Sequence, residues 1–506
     1  MKNHSAITLL GIDIGTTGTK CTLYNKDSTI IAQAYTEYPM IHPRPEWTEQ
    51  NPDVWWQATC SNLKQIFADK KINPAEIAAI GLSCTNAITI VDKNGIPLYN
   101  AIGHQDKRAD KEVEWLKKNI GNDLIESHCN NQLAKGSFSL PSIKWFFNHF
   151  PKLSTKAYKI LMPSGYIIYK LTGIFSMNIP RMSLTLLGNI HTEQWDAEIA
   201  NKAGIPARIL PPLYEPTDIV GVVTETAAKI TGLTAGTPVC AGCLDTVVST
   251  LASGAVNVND MAITIGSSAR ICYISDQLPL NHKLLTTRSP YKGLYTIIQS
   301  TDNAGVSLRW FRDVFGRAIE SDARTRGWSI YDYMDYMAAQ VYPGSGGLIY
   351  LPYLNGEKAP IWNSKAKGVF FGISLDTTYA TFIRAIMEGV AFSIKHCLEE
   401  FPKSNPSNAP IPIGGGGAQS QIWCQIISDV LNLPVIQLKT SETETLGDMI
   451  IAAQSVGIKE ITNEYGKELA SHGALIVPNI DNAKLYNRQY QKYKNIYIHL
   501  KDDFDT

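Results

Sequence analysis

The chain has no surplus of either charge: 46 Lys and Arg face 46 Asp and Glu in 506 residues. That balance speaks against a nucleic-acid protein, which would show a basic excess or stripe. No run of 18 apolar residues is present, so no membrane span is expected. The beginning of the chain lacks an apolar leader with a cleavage site and enters a strand-like run within a few residues, so a cytoplasmic, soluble protein is expected. Cysteine is scarce and unframed. Nine are scattered, and Cys60, Cys272 and Cys424 lie inside apolar segments, as reduced buried thiols do. Cys240-Ala-Gly-Cys243 is formally a CxxC, but zinc wants a second pair and none is spaced for it. Small residues packed at a strand end are the better reading. GxxxxGK[ST] is missing, and so is a GxGxxG after the first strand, which disfavours P-loop enzymes and dehydrogenases. No low-complexity segment or long linker interrupts the chain.

What is present is ample core. At 44% hydrophobic and 18% charged the chain folds into sizeable cores, and its length calls for two domains, read as 1–253 and 254–506. The first half opens as a β-meander over Ile7–Ile14, Lys20–Tyr24 and Thr29–Tyr38. Asn51-Pro52-Asp53 then starts a helix through Trp55 to Phe67, with Asn51 as cap and Pro52 in the first turn. Ile77–Leu82 reads as a buried strand. In the second half, strands at Met261–Ile265, Ile271–Ile274 and Gly293–Ile298 precede helices at Ala304–Phe315, Tyr331–Gln340 and Ala380–Phe401. Strand Pro410–Ile413, helix Gln421–Leu431, strand Val435–Leu438 and helix Thr445–Val456 follow. The last stretch, with Leu485, Tyr486, Tyr490, Tyr493 and Ile496, has the period of a docked amphipathic helix. Two similar α/β halves imply a cleft between them, where ligands bind.

One device occurs twice. Leu10–Lys20 (LGIDIGTTGTK) and Ala262–Ser268 (AITIGSS) are each an apolar strand running into a turn of glycine and hydroxyl residues. Such a turn offers backbone N–H groups and small hydroxyls to phosphate oxygens. Asp13 adds a carboxylate suited to Mg²⁺, directly or through water. Either turn alone is an ordinary hairpin; together they suggest an ATP-driven phosphotransferase. Gly242-Cys243-Leu244-Asp245 ends an apolar strand with an acid, where α/β folds hold ligands. A carboxylate there orients a hydroxyl and takes its proton during phosphoryl transfer. The competing reading of Asp245, a helix N-cap, stands even with it. Gly414–Gly417 with Ala418, Gln419 and Ser420 forms side-chain-free backbone on which a flat nucleoside can lie, and four glycines in a row are too costly in entropy for filler.

In this order the pieces resemble the FGGY carbohydrate kinases, the family of glycerol kinase, xylulokinase and gluconokinase, over nearly the whole chain. The C-terminal signature of that family resembles Gly368–Ile373 continuing through Ala385–Glu388, and Tyr353–Trp362 and Asp302–Gly305 look like stretches shared by its gluconokinases and xylulokinases. The resemblance implies two actin-like, ribonuclease H-type ATPase domains, with ATP and Mg²⁺ as cofactors and a small sugar as substrate. It implies phosphate contacts from Asp13, Gly15, Thr16 and Thr17 on one side and Thr264, Gly266, Ser267 and Ser268 on the other. It places Asn303, Gly305, Gly415, Gly416, Gly417 and Ala418 around the nucleotide, and makes Asp245 the general base. Where relatives carry a Met-His pair, this chain reads Ser83-Cys84-Thr85-Asn86-Ala87, and the later tryptophan-aspartate segment reads Gly103-His104-Gln105-Asp106-Lys107-Arg108. Thr85, Asn86, His104, Asp106 and Arg108 are thereby expected at the sugar. A ketopentose such as xylulose is favoured over gluconate or another polyol. An aldonate would want a cation, for which Arg108 is the candidate, Lys107 being read as solvated. Glu49 and Gln50 are read equally as site residues or as surface polar groups. A homodimer stands beside a monomer. The rival class is a non-catalytic actin-like ATP binder, which would have no need of Asp245.

Overall fold

A computed structural model describes residues 7–134, 136–402 and 409–505. The chain separates into two compact units. The main break falls at Ala252/Ser253, but two stretches of the second half, Ser275–Thr296 and Glu442–Gly466, belong to the first unit. The units are therefore not the simple halves 1–253 and 254–506.

The first unit is built on a sheet one side of which is a meander. β1 (Thr8–Ile14), β2 (Gly18–Asn25) and β3 (Ile30–Glu37) run antiparallel in sequence. Asn51 caps α1 (Pro52–Ile66) by accepting from Asp53 N, and the helix buries Trp55, Leu63 and Ile66. β4 (Ile77–Cys84) lies parallel to β1 on its other side. Beyond it are β5 (Ile219–Val222) and β6 (Pro238–Cys240), giving the order β5-β6-β4-β1-β2-β3. β7 (Cys243–Leu244) pairs with the last residues of β4 and leads into α2 (Asp245–Ala252). Gly242, at φ +66°, joins β6 to β7; a Cβ there would lie 1.9 Å from the Leu82 carbonyl oxygen.

The second unit repeats this plan. β8 (Met261–Ile265) turns back antiparallel as β9 (Ala269–Ser275), followed by β10 (Tyr295–Thr301) and α3 (Gly305–Phe315). The long α4 (Tyr379–Glu399) opens with a capping box between Thr378 and Thr381. β11 (Ile411–Gly414) runs parallel to β8, then come α5 (Gln421–Leu431), β12 (Val435–Gln437) and β13 (Ala474–Ile476), in the order β10-β9-β8-β11-β12-β13. The final helix, Ile480–Leu500, docks through Tyr486, Tyr490 and Tyr493, all fully buried.

α6 (Thr443–Ser455) is the element that returns to the first unit, packing on β1, β4 and α2. It comes close enough for backbone contact. A Cβ on Gly11 would lie 2.3 Å from the Thr445 carbonyl oxygen, and one on Gly81 2.0 Å from that of Asp448. Gly81→Ala is therefore expected to lower stability by about 3 kcal/mol through overpacking. Gly416→Ala, whose Cβ would meet nothing within 4 Å, should stay within about 0.5 kcal/mol of wild type. Urea denaturation of both variants checks the contrast.

Candidate active site

The register of three neighbouring strands assembles the acidic side of the site. Asp13 sits opposite Lys20 on β2 and Ser83 on β4, and Ser83 sits opposite Cys243 on β7. Asp13 and Asp245 thus occur at the same ends of β1 and β7, separated by β4, about 10 Å at ordinary strand spacing. Asp245 is half-buried, and its Oδ1 accepts from Thr246 N (2.6 Å) and Thr246 Oγ1 (3.1 Å). Burial, then Glu444 and Asp245, pushes the Asp13 carboxyl up to about 8, against opposing help from Ser83 and Lys20. Among the described residues no three His, Cys, Asp or Glu side chains converge into a metal cage. A lone carboxylate crowded by other acids suits Mg²⁺, which keeps much of its water and completes its shell with nucleotide phosphates.

The first turn is braced from below. Gly15 N donates to Gly18 O (2.9 Å), Tyr38 OH to Gly15 O (2.8 Å) and Gln50 Nε2 to Thr16 O (2.7 Å). Gln50 is 3% exposed, so it is a support of the turn and not a surface residue. Thr17 stays exposed, and Asp13, Gly15, Thr17 and Lys20 line an open cavity of about 560 Å³.

The expected sugar residues divide into two groups. Thr16 Oγ1 lies 3.0 Å from Thr85 Oγ1, which reaches His104 Nδ1 at 3.5 Å. Asn86 Nδ2 donates to Ser137 O (2.8 Å), and His104 N to Asn86 O (2.9 Å). Thr85, Asn86 and His104 therefore form one hydrogen-bonded edge beside the phosphate turn. Asp106 and Arg108 form the second group, and both are engaged inside the protein. The Arg108 side chain is fully enclosed, bidentate to Asp106 (2.9 and 2.7 Å), bonded to Glu49 Oε1 (2.7 Å) and stacked 3.9 Å over the Trp47 ring. Asp106 also accepts from Thr48 N (2.6 Å). Glu49 is held by Tyr99 (2.6 Å) and Asn100 (2.9 Å) as well. Burial raises the Glu49 carboxyl, but the hydrogen bonds from Tyr99, Asn100 and Arg108 outweigh it and leave it below the ordinary range. Every charged group here is spent on a partner inside the protein.

The second unit carries the other turn. Gly266 N donates to Ser268 O (2.8 Å), and the first amides of α3 lock onto the turn: Ala304 N to Ser267 O (3.0 Å), Gly305 N to Gly266 O (3.0 Å) and Val306 N to Ser267 O (3.1 Å). Gly266, Ser267, Gly305, Gly416 and Gly417 line a cavity of about 430 Å³ together with Arg309, Tyr331, Asp335 and Trp423. Its size and mixed apolar and polar walls suit a nucleoside. Gly415, Ala418, Thr264, Ser268 and Asn303 are not in that wall. Ala418 is fully buried, with its carbonyl bound by Gln437 Nε2 (2.7 Å). Asn303 Nδ2 donates to Gly356 O (2.8 Å), and Glu357 accepts from Thr301 Oγ1 and Asp302 N, both at 2.7 Å. The stretches Asp302–Gly305 and Tyr353–Trp362 therefore clamp each other and set the start of α3.

Several residues escaped the sequence reading. Arg309 Nη2 reaches Ser267 Oγ at 3.2 Å, one helical turn beyond Gly305. Ser83, Glu444 and Asp448 complete the acidic side. The signal for Asp448 was there: an acid inside the apolar run Leu446–Ala453. Cys240 and Cys243 of the CxxC are free and buried, and burial pushes both thiols up to about 12.

The two glycine-hydroxyl turns thus stand one beside Asp13 and Asp245 and the other beside a cavity of nucleoside size. Family models for the N-terminal and C-terminal domains of the FGGY carbohydrate kinases match residues 8–252 and 261–456. The chain is 29% identical over 498 residues to the xylulose kinase of Bacillus subtilis (strain 168), covering 98% of this chain and 97% of that protein. It is 27% identical to the gluconokinase of Bacillus licheniformis, over 98% and 96%. The crystal structure of ligand-bound xylulose kinase from Lactobacillus acidophilus superposes with a TM-score of 0.89 at 24% identity, over 98% and 99% of the two chains. The protein belongs to the FGGY family of carbohydrate kinases, phosphotransferases with an alcohol acceptor. Among the described residues no helix is long and apolar enough to cross a membrane.

The enclosed Arg108 network predicts a stability effect. Glu49 lies below its ordinary value of 4.5, so its contribution is complete above 4.5 and is lost as the pH falls through the lower folded value. Arg108→Gln should cost about 3–5 kcal/mol at pH 7, and the gap from wild type should narrow as the pH drops through that range. Urea titrations in steps below pH 5 check this. A variant of normal stability with impaired sugar binding would return Arg108 to the substrate.

Proposed function

We propose that the protein transfers the γ-phosphoryl group of ATP to a hydroxyl of a neutral ketose, a ketopentose such as xylulose, with Mg²⁺ as the metal. The reading is supported above all by one observation: Asp13 and Asp245 stand at the same ends of β1 and β7, where open α/β sheets hold ligands. Asp245 is the proposed general base. It accepts the proton of the acceptor hydroxyl as that oxygen bonds to the γ-phosphorus, while the bond from phosphorus to the bridging oxygen breaks and ADP leaves. Thr246, bonded to Asp245 Oδ1, fixes the carboxylate's orientation.

Phosphoryl transfer gains most of its rate from position and charge. The turn at Gly15–Thr17 would brace the transferred group, with Lys20 beside it. Gly266–Ser268 and Arg309 would hold the rest of the phosphate chain, and the cavity walled by Gly416, Gly417 and Trp423 would take the adenosine. Asp13 is the residue suited to hold Mg²⁺, which when bound offsets phosphate charge. Thr85, Asn86 and His104 present hydroxyl, amide and imidazole groups for sugar hydroxyls. The enclosure of Arg108 favours a neutral sugar over an aldonate, because the cation offered for a carboxylate is already paired. The reading includes a cytoplasmic enzyme; a homodimer is its proposed assembly, to be tested by sedimentation.

Asp245→Asn keeps the side chain's size and removes the base, so kcat should fall by about 10²–10⁴-fold with little change in the KM for ATP. A coupled ADP-release assay over ketopentoses, aldonates, polyols and ketohexoses measures it. No ADP release with any sugar would point to a non-catalytic ATP binder, and release that no sugar stimulates would point to an ATPase without a sugar acceptor. Full turnover by the Asn variant would remove Asp245 from its role.

A further inference from the structure

Ser83 Oγ stands between two carboxyls, 3.1 Å from Asp13 Oδ1 and 2.9 Å from Asp448 Oδ2. A serine hydroxyl carries one hydrogen and can donate to only one of them. The other contact needs a hydrogen from a carboxylic acid. Asp448 is the candidate to carry it. It is fully buried on α6, its Oδ1 has no hydrogen-bond partner among the described residues, and it makes no ion pair there. A carboxylate in that position would be an uncompensated buried charge, whereas a neutral acid keeps one bare carbonyl and spends its proton usefully. Asp13, half-buried at the cavity edge with Lys20 as its cross-strand neighbour, is where a bound cation would favour the negative charge.

We infer that Asp448 is a positioning residue: as a neutral acid it donates to Ser83 Oγ, which turns the Ser83 hydroxyl hydrogen onto Asp13 Oδ1 and fixes the carboxylate that receives the metal. The relay is rigid because α6 lies in backbone contact with β1 and β4. Neither Asp448 nor Ser83 touches nucleotide or sugar in this scheme. The inference rests on the proposed assignment of the metal to Asp13.

The test is Mn²⁺ binding to the ADP complex, followed by the electron paramagnetic resonance of free Mn²⁺, so that it does not depend on turnover. Asp448→Ala is expected to weaken Mn²⁺ about tenfold, as loss of a hydrogen-bond support to a metal ligand does. Asp448→Asn, whose amide still donates to Ser83, should recover most of that loss. Ser83→Ala removes a single oxygen, cuts the relay in the middle and tests it even where Asp448→Ala folds poorly. It should be as weak as Asp448→Ala, and the double variant no weaker than either. Wild-type affinity in Asp448→Ala, an Asn variant as weak as the Ala one, or additive losses in the double variant would each overturn the relay. Asp13→Asn with unchanged Mn²⁺ affinity would instead overturn the assignment of the metal to Asp13. Absence of sugar-stimulated ADP release would overturn the kinase reading while leaving the Mn²⁺ titration valid.

Discussion

The acidic side of the site depends on a helix lying directly on two glycines. Gly11 and Gly81 are register partners on adjacent parallel strands, so together they make a flat floor with no side chain above it. α6 settles on that floor at backbone distance, closer than any Cβ would allow. Side chains alternate along a strand with period two, so Asp13 and Ser83, two residues further on, face the same side as the glycines. That is why Asp448 of α6 meets Ser83. The same approach brings Glu442 to Lys20 (2.6 Å) and joins Thr445 to Tyr24 (2.9 Å). One close packing thus recruits a segment from far along the chain into the first unit and completes its polar site.

The protein handles buried charge in two opposite ways. Around Arg108 the guanidinium is paired with the carboxylates of Asp106 and Glu49, the ring of Trp47 covers it, and the result is a fixed support for the segment that leads to α1. Around Asp13 the acids outnumber the one cation beside it, Lys20, which is itself paired with Glu442. Burial holds Asp448 well above its ordinary value, and burial with neighbouring acids does the same to Asp13. A folded chain tolerates such a mismatch where a ligand is to relieve it.

Much of this was legible in the sequence because it is local. The two hairpins, the helix after Asn51, the strand before the four glycines and the terminal tyrosine-bearing helix each follow from short-range pattern and capping. Asp245 was legible too, as an acid at a strand end. The roles of Asp106 and Arg108 were not. Their partners Glu49, Trp47 and Trp145 are remote in sequence, and a charge-rich segment looks the same whether it faces a sugar or closes on itself. Asp448 stood out as an acid in an apolar run, but its partner Ser83 did not, because it lies on a strand more than 350 residues away. The return of α6 to the first unit was equally invisible, because nothing in the composition near residue 442 marks a crossing between units.

The two units show how one local design is put to two uses. In both, a strand bears a turn beginning at glycine, folds back antiparallel and has a parallel neighbour on its other side. Asp13 faces Lys20 across the first hairpin, and at the equivalent place Thr264 faces Arg270 across the second. On the parallel side Asp13 meets Ser83, whereas Thr264 meets Gly414, the first of the four glycines. The substitution of a hydroxyl for the acid, and of bare backbone for serine, removes the charge and opens room beside the second turn. A turn with an acid and its supports suits a metal and the reacting phosphoryl group. A turn without them, next to glycine backbone and the Trp423 ring, suits the bulk of a nucleotide. The backbone is shared by both units, and the difference in chemistry resides in the side chains at two matched positions.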